Sequence, residues 1–212
     1  MAQSSTDAIL ALAAQRGIVS ADDLAEAGLP RRYLSRLARR GELDRVGRGL
    51  YALPDRDLTE HHDLAVVARR LPDAVVCLLS ALRFHDLTTQ APFEVWVALR
   101  TGAWEPRPGS VPVRTVRMTP ETLEAGVEVH DVGPVPVPVF SPAKTVADCF
   151  KYRNLVGLDV ALEALHEFRR ARRERRRGGA SEWTVDALWR HAGTCRVQGV
   201  LRPYLEAVEA SG

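Results

Sequence analysis

The stretch LPRRYLSRLARRGELDRVGRGLYAL, residues 29–53, places a short basic helix directly before a tight hairpin, a combination typical of DNA-binding units. Pro30 suits the first position of a helix, and Gly41 suits the position just past its end. Between them, Leu34 and Leu37 recur at the spacing of a buried stripe, which leaves the arginines on the other faces. The stretch holds seven arginines against two acidic residues, a net charge of +5, whereas the whole chain has a formal net charge of only +2. The pattern therefore predicts a helix with one apolar face and one cationic face.

After Gly41 the pattern changes from helical to extended and predicts a two-stranded wing. Apolar residues flank Gly47-Arg48-Gly49 on both sides, and glycines tolerate the positive φ angles of a tight turn. Arg48 is therefore expected at an exposed tip, where it can reach a phosphate or the minor groove. The alternative is that the basic residues simply form a solvated face in an arginine-rich chain. The candidate DNA-binding residues are Arg31, Arg32, Tyr33, Ser35, Arg36, Arg39, Arg40, Arg45 and Arg48.

Two further helices are predicted ahead of the basic one. Residues 7–15 have apolar side chains at helical spacing, and Ser20 is placed to cap a second helix with Asp23 at its third position. A short turn containing Gly28 leads into the basic helix. Three helices followed by a wing make a winged helix-turn-helix, which we place at residues 1–58, with a second domain at 59–212.

The composition is that of an ordinary soluble globular protein, with 46% hydrophobic and 26% charged residues. The first residues lack a basic segment ahead of their apolar run, and no apolar stretch approaches the roughly 18 residues of a membrane span, so we expect a cytoplasmic protein. Cys77, Cys149 and Cys195 are widely spaced among apolar neighbours, which favours buried thiols over a disulfide or zinc site.

Enzymatic signatures are sparse. The sequence has no GxGxxG after a strand, no GxxxxGK[ST], no HExxH, no CxxC and no GxSxG. His61 and His62 would project about 100° apart on a helix, which does not suit a shared metal. His85 ends an apolar segment and is interpreted as a hydrogen-bonded core or edge histidine. We therefore expect no catalytic site, no metal and no cofactor, with Ser80 a nucleophile candidate only if a base lies nearby.

A family resemblance is carried by several blocks of the sequence. GIVSADDLAEAGLPRRYLSRLARRGELDRVGRGLYALP resembles the amino-terminal module of AbiEi-type antitoxins, the DNA-binding partners of nucleotidyltransferase toxins in bacterial toxin-antitoxin pairs. VVCLLSALRFHDLTTQ, VFSPAKTVADCFKYRN and CRVQGVLRPYLEAV are similar to blocks of the longer antitoxin domain of that family, so the resemblance covers nearly the full length. It implies operator binding by the first domain and an action against the toxin by the second.

The second domain is predicted to be a mixed α/β domain with a carboxy-terminal helical group, which makes the whole chain α+β. Helices are expected at 59–70, 79–84, 158–168, 181–192 and 197–208, and strands at 93–99, 111–118 and 127–132. In GPVPVPVF, residues 133–140, a proline at every second position removes the N–H groups along one side. We therefore expect an edge strand there.

Two features of the second domain are open to more than one interpretation. Ser141-Pro142 opens a helix in which Lys144 and Asp148 are spaced i, i+4, as a surface ion pair, a polar contact to a neighbouring element, or an acid–base pair of an enzyme. Residues 169–177 contain seven arginines and one glutamate. We expect a fraying helix end and a loop there, either as a solvated linker or as a contact to phosphates or an acidic partner.

The sequence thus predicts a DNA-binding antitoxin that represses its own operon and counteracts a cognate nucleotidyltransferase toxin, with a homodimer on DNA as one possibility. Two alternatives remain open. One is a plain transcriptional repressor whose second domain serves dimerisation or ligand sensing. The other is an enzyme that covalently modifies the toxin. A nucleotidyltransferase gene in the neighbouring reading frame would favour the first interpretation.

Overall fold

The computed structural model describes residues 5–54, 60–104, 109–175 and 182–210. The described chain forms two compact units: the first contains residues up to 73 together with 109–113 and 130–137, and the second contains the remainder. The predicted boundary at residue 58 lies outside the described residues and stays a proposal. The helix that follows this boundary, His62–Arg70, belongs to the first compact unit. None of the described helices is long and apolar enough to cross a membrane.

The first unit is a winged helix-turn-helix, as the sequence predicted. Its elements are α1 (Ser5–Arg16), β1 (Ile18–Ser20), α2 (Ala21–Glu26), α3 (Arg32–Arg39), β2 (Asp44–Gly47), β3 (Leu50–Ala52) and α4 (His62–Arg70). The strands form a sheet in the order β1-β3-β2, with antiparallel pairing throughout. Strand β1 was not predicted, because three residues are too short for a periodic pattern. Because β1 pairs with β3, the segment that leads into α2 is hydrogen-bonded to the wing.

The core of the first unit is built from apolar residues that the helical spacing selects. Ile9 and Ala13 of α1, Leu24 of α2, and Leu34 and Leu37 of α3 are all buried. Each of the buried leucine and isoleucine side chains contributes about 1.5–3 kcal/mol relative to an exposed one. The stripe on α3 therefore fixes which face of that helix is left to solvent.

The second unit contains a sheet with helices packed against it. Its strands are β4 (Val75–Val76), β5 (Val95–Arg100), β6 (Val113–Met118), β7 (Val127–Val132) and β8 (Val135–Phe140), in the order β6-β5-β4-β8-β7. Parts of β7 and β8 belong to the first unit by compactness. The helices are α5 (Leu78–Phe84), α6 (Pro120–Glu124), α7 (Pro142–Lys151), α8 (Arg153–Val156), α9 (Leu158–Arg175), α10 (Val185–Thr194) and α11 (Gln198–Ala210). The α+β class is confirmed.

The prediction that residues 133–140 form an edge strand is wrong. β8 lies inside the sheet, between β4 and β7, and it runs parallel to β4. β4 is only two residues long, and its pairing with β8 runs through Val139. The missing N–H groups of Pro136 and Pro138 therefore do not interrupt that pairing. A proline at every second position is therefore compatible with an interior strand in this sheet.

Helix α7 is the centre of the second unit. It packs against α5, α9 and α10, and every residue from Pro142 to Phe150 is buried. Ser141 caps it by accepting a hydrogen bond from the backbone N–H of Lys144 at 3.3 Å, as its sequence predicted. Because α7 is surrounded on several sides, it has no solvent face, and its charged residues Lys144 and Asp148 are buried.

Helix α9 continues further than predicted. It runs to Arg175, so the first part of the basic segment is helical rather than a fraying end, and residues 176 and 177 lie outside the described residues. Arg172 forms an ion pair with Glu209 of α11 at 2.9 Å, and Arg170 pairs with Glu167 within the helix at 2.5 Å. Part of this basic charge is thus neutralised within the unit.

Candidate nucleic-acid interface

Helix α3 presents the cationic face that its sequence predicted. Leu34 and Leu37 are buried, whereas the side chains of Arg31, Arg32, Ser35, Arg39 and Arg40 are exposed. The helix begins at Arg32 rather than at Pro30. The amides of Tyr33 and Leu34 donate to the carbonyls three residues earlier, at 3.2 Å each, so Pro30 begins a tight turn that leads into the helix. The exposed arginines consequently lie on about two helical turns.

Tyr33 and Arg36 form a stacked pair on the same helix. The Arg36 guanidinium carbon lies 4.0 Å from the centre of the Tyr33 ring, and that of Arg32 lies 5.6 Å from it. The hydrogen bond and charge of Arg36 lower the pKa of Tyr33. Both side chains are half-buried, unlike their neighbours. Stacking holds the Arg36 fork in one orientation, which reduces the entropy lost when a guanidinium binds a base or a phosphate.

The wing places Arg48 where the sequence predicted. Strands β2 and β3 are joined by a turn at Arg48 and Gly49, and both residues are exposed. Gly49 has a φ of +76°, which a residue with a Cβ adopts at a cost, whereas Gly47 is buried and does not have a positive φ. Arg45 is exposed and its Nε donates to the carbonyl of Gly47 at 3.3 Å, which braces the turn. Only one of the two glycines is therefore required by the turn geometry.

A buried carboxylate anchors the helices behind this surface. Asp23, 5% exposed, accepts the backbone N–H of Ser20 at 2.6 Å and its hydroxyl at 2.8 Å, which completes the predicted capping box. Arg16 and Arg69 also donate to it. Burial alone would raise the pKa of Asp23, but the hydrogen bonds from Arg69, Ser20 and Arg16 outweigh it and lower the pKa to about 2. One ionised carboxylate thus links α1, α2 and α4.

The sequence identified the cap but not this three-way anchor. Ser20 and Asp23 are three residues apart, which is a local signal, while Arg69 lies 46 residues further along the chain. A buried aspartate attracts arginines, but nothing in the spacing shows which ones.

The comparison with protein families bears on this unit. Residues 7–54 match the family described as "Transcriptional regulator, AbiEi antitoxin". The amino-terminal segment is therefore similar to the AbiEi-type regulators, and it is called the AbiEi-type module below. The resemblance deduced from its sequence is confirmed for these residues, and with it the general character of a DNA-binding antitoxin. The match ends at the close of the wing, before α4.

Comparison with solved structures extends over most of the chain. The crystal structure of the RV2827C protein from Mycobacterium tuberculosis is similar with a TM-score of 0.53 and 15% sequence identity, over 97% of this chain and 82% of that one. At this identity the likeness concerns the fold alone. A search of curated proteins gives no significant match.

Outside the AbiEi-type module, the second unit holds a buried ion pair. Lys144 Nζ lies 2.5 Å from Asp148 Oδ2, and the two residues are 0% and 1% exposed. Of the three interpretations that the sequence left open, the surface ion pair is wrong, because α7 has no solvent face. Cys195 donates its thiol to the other carboxylate oxygen at 3.1 Å. Burial and the Asp148 charge raise the pKa of Cys195 to about 12, so the thiol stays protonated and unreactive.

A second polar cluster joins α7 to α10. Glu182 Oε2 accepts the hydroxyl of Ser141 at 2.8 Å and lies 2.8 Å from Nε2 of His191, while Oε1 accepts from Arg190 at 2.7 Å. Burial opposes ionisation, but the hydrogen bonds from His191 and Ser141 lower the pKa of Glu182. The Glu182 carboxylate thus contacts both His191 and Ser141 and lies between them. This order differs from a nucleophile–base pair, in which the histidine contacts the hydroxyl directly.

The remaining candidates for chemistry have structural contacts. Ser80 accepts the backbone N–H of Trp96 at 2.9 Å, which links α5 to β5. His85 lies with Nε2 2.7 Å from the carbonyl of Phe140, so the prediction of a hydrogen-bonded core histidine is confirmed. The three cysteines are buried and free, as predicted. Within the described part of the chain, no cluster of three or more histidine, cysteine or acidic residues is placed to hold a metal ion.

Proposed function

We propose that this chain is an antitoxin that represses its own operon through the wing module and counteracts a cognate nucleotidyltransferase toxin. The observation that carries the proposal is the exposed arginine row of α3 beside Arg48 of the wing, in a segment that matches a family of AbiEi regulators. A recognition helix inserts its amino-terminal residues into the major groove, while a wing contacts the backbone. The domain limits 1–58 and 59–212 are part of the same proposal.

The charge distribution supports DNA as the ligand of the first unit. Arg32 and Arg39 of α3 are exposed, as are Arg31 and Arg40 directly before and after the helix, and Arg40 forms a 3.8 Å ion pair with Glu42. Together with Arg48 of the wing, these residues make a positively charged surface. A duplex supplies phosphates that neutralise such a surface and releases its counterions on binding. Tyr33 and Ser35 add hydrogen-bonding groups to the same face.

The first prediction concerns sequence recognition by α3. Arg32→Ala and Arg36→Ala should each weaken operator binding by about 1–3 kcal/mol and narrow the difference between operator and scrambled duplex, because both residues lie toward the end of α3 that reads bases. Binding should be measured by fluorescence anisotropy with both duplexes. Glu26→Ala, on the exposed side of α2, is the control. If both arginine variants bind the operator with unchanged affinity, α3 is not the surface that binds DNA.

The second prediction separates the wing from the helix. Arg48→Ala should weaken binding to operator and scrambled duplex alike, because a phosphate contact carries no sequence information. Its plot of log affinity against log salt should be flatter by about one unit, since one fewer counterion is released. The measurement is the same titration at several salt concentrations. A selective loss for the operator would instead place Arg48 at a base edge.

Neutralisation of the toxin is assigned to the second domain, which carries the other AbiEi-like blocks of the sequence. The test is co-expression of the toxin with full-length Arg32→Ala/Arg36→Ala/Arg48→Ala antitoxin from an unrelated promoter, which removes autoregulation from the experiment. Growth rescue with a stable complex of the two proteins supports direct neutralisation. If this variant does not rescue growth, the alternative of a plain transcriptional repressor is favoured. A covalent change in the mass of the toxin would favour the enzyme alternative.

A further inference from the structure

The second unit contains a pocket of about 600 Å³ beside the carboxy-terminal end of α7. Its lining comes from the end of α7 (Asp148, Lys151 and Tyr152), from the turn between α10 and α11 that contains Arg196, and from the ends of two strands. These strand ends supply Thr101 after β5 and residues 117–122, which run from the end of β6 into α6. Cavities that bind small molecules typically measure about 300–1,000 Å³. The pocket thus has the size of a small-ligand site and lies outside the AbiEi-type segment.

The charges that line the pocket are mainly positive. Arg117, Lys151 and Arg196 contribute three cations, against the carboxylates of Glu121 and Asp148. Asp148 is already engaged, with one oxygen 2.5 Å from Lys144 Nζ and the other accepting the Cys195 thiol. Asp148 therefore already has a cation of its own within the core. The lining residues thus carry three positive and two negative formal charges, a balance that favours an anion over a cation.

Hydroxyl groups and one apolar side chain also line the pocket. Tyr152 donates its hydroxyl to the carbonyl of Arg117 at 3.3 Å, and Thr119 and Thr122 lie 3.0 Å apart through their hydroxyl oxygens. Burial and the Asp148 charge raise the pKa of Tyr152 to about 12, so its hydroxyl stays neutral. Met118 provides an apolar surface among these groups. Arginine, lysine and hydroxyl groups converging in one cavity are the usual ligands of phosphate oxygens.

Arg196 occupies a backbone conformation that normally favours glycine. Its φ is +57°, and it follows Cys195, the carboxy-terminal cap of α10. Its amide donates to the carbonyl of Gly193 at 3.0 Å, and the next amide donates to that of Ala192 at 2.9 Å, a helix-ending arrangement in which glycine is the common residue. An arginine in this position strains the backbone and places a guanidinium at the pocket. Strain retained at a cavity points to a role for the side chain.

The geometry points to a binding site for a phosphate-bearing small molecule, held by Arg117, Lys151 and Arg196. Two sources share this chemistry: an inorganic polyphosphate and a nucleoside phosphate. The volume and the Met118 surface leave room for more than a single phosphate. This site shares no residue with the proposed DNA surface, so either proposal can fail without the other.

Isothermal titration of the full-length protein tests the site with three probes: pyrophosphate, ADP and adenosine. Pyrophosphate, ADP or both should bind, whereas adenosine, which lacks phosphate, should not. Binding by ADP that is tighter than that by pyrophosphate assigns the nucleoside phosphate, and the reverse assigns the inorganic ion. Lys151→Gln should weaken binding by about tenfold, as expected for the loss of a charge-assisted hydrogen bond.

Arg196→Gly gives the sharpest result. It should raise the unfolding temperature, because glycine relieves the positive φ, while it weakens phosphate binding about tenfold. Misfolding therefore cannot account for the loss. Arg170→Gln, an exposed residue of α9 away from the pocket, is the matched control and should bind as the wild type does. Absence of binding by both phosphate probes, or binding that Arg196→Gly and Lys151→Gln leave unchanged, would overturn the inference.

Discussion

Replacing Lys144 by Met should lower the free energy of unfolding by about 3–5 kcal/mol, one of the two largest effects we expect from a single substitution in this chain. Methionine preserves much of the volume of lysine but leaves the Asp148 carboxylate buried beside the Cys195 thiol without its cation. It also removes the ammonium that lies 4.1 Å from the centre of the Phe140 ring. Urea denaturation followed by circular dichroism measures the change.

The double variant Lys144→Met/Asp148→Leu separates the cost of an orphaned charge from the contribution of the pair. Removing both charges should recover most of the lost stability, because two desolvation penalties disappear together with the attraction. Arg170→Ala serves as the exposed counterpart, since its pair with Glu167 lies at the surface. That change should alter stability by less than about 1 kcal/mol. A cost of the same small size for Lys144→Met would show that the buried pair is not compensating a desolvated charge.

The sequence predicted the features that depend on local spacing. The stripe of Leu34 and Leu37 gave the buried face of α3, and the Gly-Arg-Gly turn gave the exposed tip of the wing. Ser20 and Ser141 were correctly placed as helix caps, because a capping oxygen and the backbone N–H that donates to it lie within three residues of each other. In each case the physical cause acts over one or two turns of the chain.

The features that were missed depend on partners far along the chain. The i, i+4 spacing of Lys144 and Asp148 gives the pair but not its surroundings, which depend on α5, α9 and α10 packing around α7. The interior place of β8 depends on the pairing of Val139 with Val76, 63 residues earlier. The pocket near Arg196 likewise combines β6, α7 and the α10–α11 turn. A single sequence carries periodicity, but not these long-range juxtapositions.

Replacing Asp23 by Asn should lower the free energy of unfolding at neutral pH by roughly 3 kcal/mol. Asparagine has the same shape, but it has no charge to offer Arg16 and Arg69, and one of its two terminal atoms is a donor that cannot accept their hydrogen bonds. The capping of α2 through the Ser20 amide is weakened as well. Asp22→Asn on the same helix is the matched control, because Asp22 is exposed, and it should cost only a few tenths of a kcal/mol.

Acid titration should reveal the same carboxylate independently of substitution. The pKa of Asp23 is about 2 in the folded chain against 3.8 for an unperturbed group, so the folded state favours the ionised form. The resulting stabilisation, roughly 2 kcal/mol, is fully present above pH 4 and is lost as the pH falls from about 4 to 2. The difference in stability between wild type and Asp23→Asn should therefore shrink across that interval, while the difference between wild type and Asp22→Asn should change less. A constant difference between wild type and Asp23→Asn down to pH 2 would mean that the Asp23 charge does not hold α1, α2 and α4 together.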